Sequence, residues 1–144
     1  MDHVVYVEAS SGELDKITSG SKTMILRGAA GRKMPYGKVY AGDRLFFVNN
    51  NGEGKIKARA IVKSVLNSEK LSPEEALYLI EKNEKALQLS VKQKEKYAGK
   101  RYLVLIEIME AEKIEPAAMD KSSYINMDDW LPVGRIEEVL LAEI

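Results

Sequence analysis

Two cations flank a short apolar segment in the first part of the sequence, and their types suit them to hold an anion. The segment runs from Met24 to Leu26, with Lys22 before it and Arg27 directly after it. Side chains of a regular strand alternate between faces, so Lys22 and Arg27 would then point in opposite directions. If Lys22 lies instead in the turn before the strand, both cations can converge on one cleft. Lysine would supply a point charge for a phosphate or carboxylate, and arginine can donate two parallel hydrogen bonds to an oxyanion.

Gly20 and Thr23 belong to the same stretch and add to its chemistry. A short helical pattern over 11–19, with Ser10 or Ser11 as the expected cap, ends at Gly20, and glycine favours the position just after a helix. Glycine also lets the backbone approach a ligand closely. The stretch therefore predicts a binding site of Gly20, Lys22, Thr23 and Arg27. Lys22 and Thr23 are also weak catalytic candidates.

The segment 28–42 supplies a second group of basic residues. Four glycines and Pro35 punctuate it, which is typical of a loop. Arg32, Lys33 and Tyr36 combine positive charge with an aromatic ring, a combination that suits contacts to a phosphate and a base. A flexible connection is an equally good interpretation. The start of the loop lacks the spacing of a phosphate-binding P-loop, which excludes that nucleotide-binding fold.

Arg59 and Trp130 are the remaining candidate ligand-binding residues. Arg59 lies in a row of cations on one face of the strand predicted over 55–66, formed by Lys55, Lys57, Arg59 and Lys63. The alternative for this row is the solvated outer face of a sheet. Trp130 could stack a base, or it could pack in the core with its apolar neighbours.

Charge and composition limit the class of protein. The 144 residues contain 22 Lys and Arg and 22 Asp and Glu, so the net charge is zero. Residues 1–70 nevertheless carry 12 basic against 7 acidic residues, and residues 71–144 carry 10 against 15. This asymmetry allows one basic face, which phosphate contact requires. No apolar run approaches the roughly 18 residues of a membrane helix, so we expect a cytoplasmic protein.

Metal sites and cofactors are not expected. The chain has no cysteine and one histidine, His3, which leaves neither a thiolate nor a histidine zinc site. We expect His3 to be a solvated or strand-edge residue. The adjacent carboxylates Asp128 and Asp129 could hold a divalent cation, but two turn residues before a packed tryptophan explain them better.

The order of predicted elements describes one domain over residues 1–144. A first strand at Val4 to Val7 precedes the short helix, and an Asn-Gly turn over 49–54 joins two strands of a hairpin. Ser72-Pro73-Glu74-Glu75 is a capping-box start of a helix, and a second short helix over 91–96 would end at Gly99. A strong strand follows at 101–108, and 136–141 forms a last strand or short helix.

The motif around Lys22 resembles that of a known family. Gly20-x-Lys22-x-x-Ile25-x-Arg27 is similar to the G-x-K-x-x-E-x-R signature of ASCH domains, which belong to the PUA-like superfamily, with Ile25 in place of the usual Glu. The resemblance implies an α+β fold: a PUA-like, ASCH-type mixed β-barrel of about six strands with two or three flanking helices. It also implies a cleft beside the first helix that contains the motif residues.

Three functions follow from these observations and the resemblance. The first is a module that binds RNA or a nucleotide-like small molecule in a basic cleft, expected to be monomeric. The second is a small amidohydrolase of a modified nucleoside such as acetylated cytidine, which in the resembling proteins uses the motif Lys, a Thr three residues later and a distal Glu. Here that Thr position is Ile25, which has no nucleophile, and this argues against an enzyme. The third is a protein-interaction module that uses the acidic second half.

Overall fold

A curled six-stranded mixed sheet forms the body of the protein. The computed structural model describes residues 1–120 and 129–141. Its strands are β1 (Asp2–Val7), β2 (Met24–Ala29), β3 (Arg44–Asn49), β4 (Lys55–Asn67), β5 (Tyr102–Ala118) and β6 (Trp130–Gly134). The α-helices are α1 (Glu13–Thr18), α2 (Pro73–Lys82), α3 (Glu84–Leu87) and α4 (Val91–Ala98). Two 3-10 helices cover Ala9–Ser11 and Ile136–Glu138.

The strands follow the order β2-β5-β4-β3-β1-β6 across the sheet. β1 pairs with β3 in parallel, and the other neighbouring strands are antiparallel. β2 and β6 are therefore the two edges, and the curl of the sheet brings β2 towards β1 and β6. We call this gap between β2 and β1 the seam. The result is a half-barrel surrounded by helices, which confirms the expected α+β class and about six strands; the described residues form four α-helices where two or three were expected.

Alternation along β2 gives the sheet two apolar faces. Ile25 points into the half-barrel and packs with Phe47, Ile106 and Trp130. Leu26 points the other way, into a cluster that the helices α2 and α4 cover. A strand buried on both faces explains why Met24 to Leu26 is a continuous apolar run.

Two capping boxes fix the helices of the outer layer. Ser72 accepts a hydrogen bond from the Glu75 backbone N–H, and the Glu75 side chain accepts one from the Ser72 N–H, as predicted. Ser90 and Gln93 form the same reciprocal pair at the start of α4. The cap expected for α1 is wrong, because Gly12 is its N-cap and makes no side-chain bond there. Ser10 and Ser11 instead lie in the preceding 3-10 turn.

His3 of β1 is buried beside Trp130 of β6, although the sequence analysis predicted a solvated or strand-edge residue. His3 is 0% exposed, its Nε2 lies 2.9 Å from Asp43 Oδ2, and its Nδ1 lies 3.1 Å from Trp130 Nε1. Indole N–H can only donate, so Nδ1 accepts and Nε2 donates to the carboxylate. The expectation of a solvated or strand-edge His3 is therefore wrong. Its partners lie 40 and 127 residues away in sequence.

No helix in the described part of the chain, 1–120 and 129–141, is long and apolar enough to cross a membrane.

Candidate anion-binding cleft

Lys22 lies in the turn before β2, which is the arrangement that allows the two cations to converge. Gly20 has φ +84° and ends α1, so Lys22 leaves the helix before strand alternation begins. Its side chain is 1% exposed. Nζ donates to the Leu87 carbonyl and lies 3.5 Å from Glu13 Oε2.

Burial is the largest influence on the Lys22 amine. It lowers the pKa from 10.5 to about 8, because a charged amine loses its hydration there. Glu13 opposes that change, and the nearby positive charge of Arg27 adds to it. The two cations are thus close enough to repel each other, with the Glu13 carboxylate beside Lys22.

Glu13 connects α1 with α4. Its Oε1 accepts a hydrogen bond from the Glu8 backbone N–H at 2.7 Å and another from Gln93 Nε2 at 3.2 Å. Gln93 is also the third residue of α4 and part of its capping box. A buried carboxylate with two neutral donors and a cation is well satisfied, so this group holds the first helix against α4.

Arg27 spans the seam with its guanidinium. Nη1 donates to the Leu26 carbonyl at 2.9 Å, and Nη2 donates to the Tyr6 carbonyl of β1 at 2.6 Å. The same group lies 5.7 Å from the centre of the Trp130 ring, within cation–π range. Side-chain bonds thus link β2 to β1, two strands that are not neighbours in the sheet.

Arg27 remains charged although it is buried, because nearby groups raise the pKa of its guanidinium. Arg27 is 6% exposed, and burial by itself would lower the pKa of its guanidinium. The oxygen of Tyr97 and the carboxylates of Asp129 and Glu13 outweigh burial and raise the pKa above its ordinary value. Arg27 Nε lies 3.2 Å from Asp129 Oδ2, but the N–H is not directed at that oxygen and makes no hydrogen bond. It is the only buried side-chain N or O atom in the described residues without such a partner.

A cleft opens beside Arg27 between β2, the following loop and α4. Its larger part has a volume of about 370 Å³, and a smaller recess of about 80 Å³ adjoins it. Arg27, Lys96, Tyr97 and Asp129 line both parts. Among the described residues, the charged lining of the larger part is four cations, Arg27, Lys33, Lys96 and Lys100, and one carboxylate, Asp129. This imbalance attracts anions.

Gly28 lets α4 pack closely on the sheet at the wall of this cleft. A Cβ built there would lie 2.7 Å from Leu103 Cδ2, 3.1 Å from the Tyr102 carbonyl oxygen and 3.2 Å from Tyr97 Cδ1. These distances leave no room for a methyl group. The glycine therefore lets α4, which carries Lys96 and is followed by Lys100, pack against β2.

The structure brings some of the predicted ligand-binding residues together. The charges of Lys22 and Arg27 both interact with that of Glu13, but Lys22 is not part of the described cleft lining. Lys33 lines the larger part of the cleft. Arg32 lies outside that lining, with its guanidinium 5.7 Å from the centre of the Tyr36 ring and 5.6 Å from that of Tyr102.

Other predicted residues lie elsewhere. Thr23 is exposed, and neither it nor Gly20 belongs to the lining described for the cleft. Tyr36 is partly buried, and its hydroxyl donates to the Ser68 carbonyl at 2.5 Å. Arg59 lines a separate groove of the sheet and forms an ion pair with Glu112, so it does not belong to the cleft beside Arg27.

Trp130 is a core residue and not part of the cleft surface. Trp130 is 1% exposed with its ring in the core, so it presents no face to a base, which corrects the stacking hypothesis.

The row of cations on β4 is largely paired with carboxylates. Lys57 pairs with Glu53 at 3.0 Å and Lys63 lies 3.9 Å from Glu107, so carboxylates offset much of the positive charge of the row. Of the carboxylate pair, Asp128 lies outside the described residues. No cluster of three or more metal-ligating side chains occurs in 1–120 and 129–141.

Sequence reasoning missed the contribution of α4. The sequence indicated only a short helix over 91–96, whereas Lys96 and Lys100 line the cleft together with buried Tyr97. A signal was present: Ser90-x-x-Gln93 is a capping box that begins a helix, and Lys96 lies in the last turn of that helix with Lys100 just beyond its end.

Comparison with known proteins supports the fold. No protein-family model and no curated protein matches the chain. Its fold is similar to the crystal structure of ASCH from Zymomonas mobilis, with a TM-score of 0.69, 17% identity, and coverage of 95% of this chain and 90% of that one. Two mutants of the same protein give TM-scores of 0.69 at 16% identity and cover 95% of this chain, with 93% and 91% of theirs. The chain therefore has the ASCH fold that the motif around Lys22 suggested.

Proposed function

We propose that this ASCH-fold domain binds a phosphate-bearing, nucleotide-like ligand, either a small molecule or one nucleotide of single-stranded RNA, in the cleft beside Arg27. The observation that carries the proposal is a buried guanidinium with an unused Nε–H next to a cavity whose described lining has three further cations. A buried donor without an acceptor costs free energy, and an oxyanion at that position would satisfy it.

The size of the cleft fits a single nucleotide better than a helix. Ligand pockets have volumes of roughly 300–1,000 Å³, and 370 Å³ lies at the lower end of that range. Lys96 and Lys100 would neutralise phosphate charge at the rim, while Arg27 would hold one oxygen in a fixed direction. Base preference would then be weak, since most of these contacts are to phosphate.

Salt-dependent binding tests this proposal. Fluorescence anisotropy of a labelled five-nucleotide RNA is measured over a range of salt concentrations for wild type, Lys96→Ala and Lys100→Ala. Each variant should weaken binding about 3- to 10-fold and reduce the slope of log K against log salt by roughly 1. Lys55→Ala, an exposed lysine on β4 outside the cleft, is the matched control and should leave both unchanged. Equal effects of all three variants, or a slope near zero in wild type, would refute the proposal.

Hydrolysis of a modified nucleoside is the second candidate, and one observation favours it. Lys22 combines a pKa of about 8 with a carboxylate at 3.5 Å, and active sites often shift pKa values in this way. The nucleophile is missing from that arrangement, because Thr23 is exposed and Ile25 packs in the core. Chromatographic assay of acetylated cytidine decides between the two: turnover that Lys22→Met abolishes would favour the hydrolase.

A further inference from the structure

Asp129 is the one carboxylate in the described lining of the larger part of the cleft, and it lies beside the Arg27 guanidinium. Its Oδ2 lies 3.2 Å from Arg27 Nε, yet the N–H does not point at it, so charge attraction holds the pair without a hydrogen bond. The Asp129 side chain is 45% exposed, and the Arg27 side chain is nearly buried. The carboxylate is thus at the mouth of the cleft and the guanidinium is on its floor.

The main chain of Asp129 is anchored independently of its side chain. Its carbonyl accepts a hydrogen bond from the Tyr6 N–H at 2.9 Å, and β6 begins at the next residue. The carboxylate can therefore rotate away from Arg27 without moving the backbone. Asp129 lines both parts of the cleft, so this rotation changes the charge at their junction.

From this geometry we infer that the Asp129 carboxylate is an internal competitor for the anion site on Arg27, and that a ligand phosphate binds by displacing it. This inference rests on the proposed function, since it concerns the same cleft. Asp129 sets a threshold for binding: an anion replaces it only if its oxygens align with the Nε–H that Asp129 leaves unbonded and also contact the lysines at the rim. A phosphate has enough oxygens to meet both conditions at once.

A charge-neutral replacement of Asp129 tests the inference. Binding of inorganic phosphate and of the five-nucleotide RNA is measured for wild type and Asp129→Asn, which keeps the size of the side chain. Asp15→Asn is the matched control, because Asp15 is an exposed carboxylate outside the cleft that pairs with a cation, Lys113, at 3.8 Å. Asp129→Asn should bind both probes about 3- to 10-fold more tightly, and Asp15→Asn should stay within twofold of wild type.

A second measurement needs no substitution. The Arg27 Nε–H proton resonance of wild type is followed by NMR as phosphate is added, and it should move downfield when an aligned hydrogen bond replaces the Asp129 contact. A resonance that stays in place while phosphate binds would overturn the inference, even if Asp129→Asn folded poorly.

The possible results separate the inference from the proposed function. If the lysine variants lose affinity but Asp129→Asn binds no better than wild type, the competitor role is wrong and the binding function stands. If neither wild type nor Asp129→Asn binds either probe, the binding function is wrong and the competitor role falls with it.

Discussion

Replacement of Lys22 by Met should remove a specific pH dependence of stability. Lys22 has a pKa of about 8 in the folded protein, against 10.5 for an ordinary lysine. Below pH 8 both the folded and the unfolded chain hold the proton, and the folded state bears the full cost of a dehydrated charge. Between pH 8 and 10.5 only the unfolded chain holds it, so the free energy of unfolding rises with pH in this interval.

The expected size of this effect follows from the two pKa values. At about 1.4 kcal/mol per pH unit, the full interval corresponds to roughly 3 kcal/mol, and a series from pH 7 to 10 covers roughly 2–3 kcal/mol of it. Lys22 is almost completely buried, so solvent screening reduces this value little.

Urea unfolding of wild type and Lys22→Met across this pH range measures the effect. The free energy of unfolding of the variant is subtracted from that of wild type, which removes the contributions of the other titrating groups. This difference should rise with pH. Lys63→Met, an exposed lysine of β4, should give a difference that is flat within about 0.5 kcal/mol. A flat difference for Lys22→Met as well would refute the argument, because the amine would then be hydrated and not buried against Leu87 and Glu13.

Three further predictions concern packing and helix ends. Gly28→Ala should lower the free energy of unfolding by about 1–3 kcal/mol through overpacking, measured by urea titration, whereas Gly31→Ala, with open space around it, should change it little. Ser90→Ala and Ser72→Ala should each cost about 1 kcal/mol as lost caps in thermal melts. Only Ser90→Ala should also weaken RNA binding, because α4 carries Lys96 of the cleft; equal binding by both variants would contradict this. Trp130 fluorescence should resist acrylamide quenching, and strong quenching in the free protein would contradict its burial.

The sequence predicted the part of the site that local chemistry determines. Gly20 indicated the end of α1, and the apolar run after Thr23 indicated β2, so both possible positions of Lys22 could be stated. The choice between these two positions of Lys22 depends on contacts with residues that are distant in sequence. Lys22 remains in the turn because its amine reaches Leu87 and Glu13, and Leu87 is 65 residues further along the chain.

The remaining errors come from contacts that are distant in sequence. β6 was not predicted as a strand, since Trp130 to Gly134 is short and includes Pro132, and its pairing with β1 spans almost the whole chain. β5 continues to Ala118, ten residues beyond the predicted strand, because it pairs with most of β4. Charge-rich strand ends look like loops until a partner strand is known.

Arg27 gives the seam a property that ordinary strand pairing would not. β2 is tied to β1 here through a guanidinium, which bonds to the Tyr6 carbonyl on one side and faces the cleft on the other. An anion that fixes this guanidinium also fixes the two strands it joins. The Tyr6 amide donates a hydrogen bond to the Asp129 carbonyl. Ligand binding in the cleft should therefore slow hydrogen exchange at this amide, which makes the exchange rate a measure of ligand occupancy.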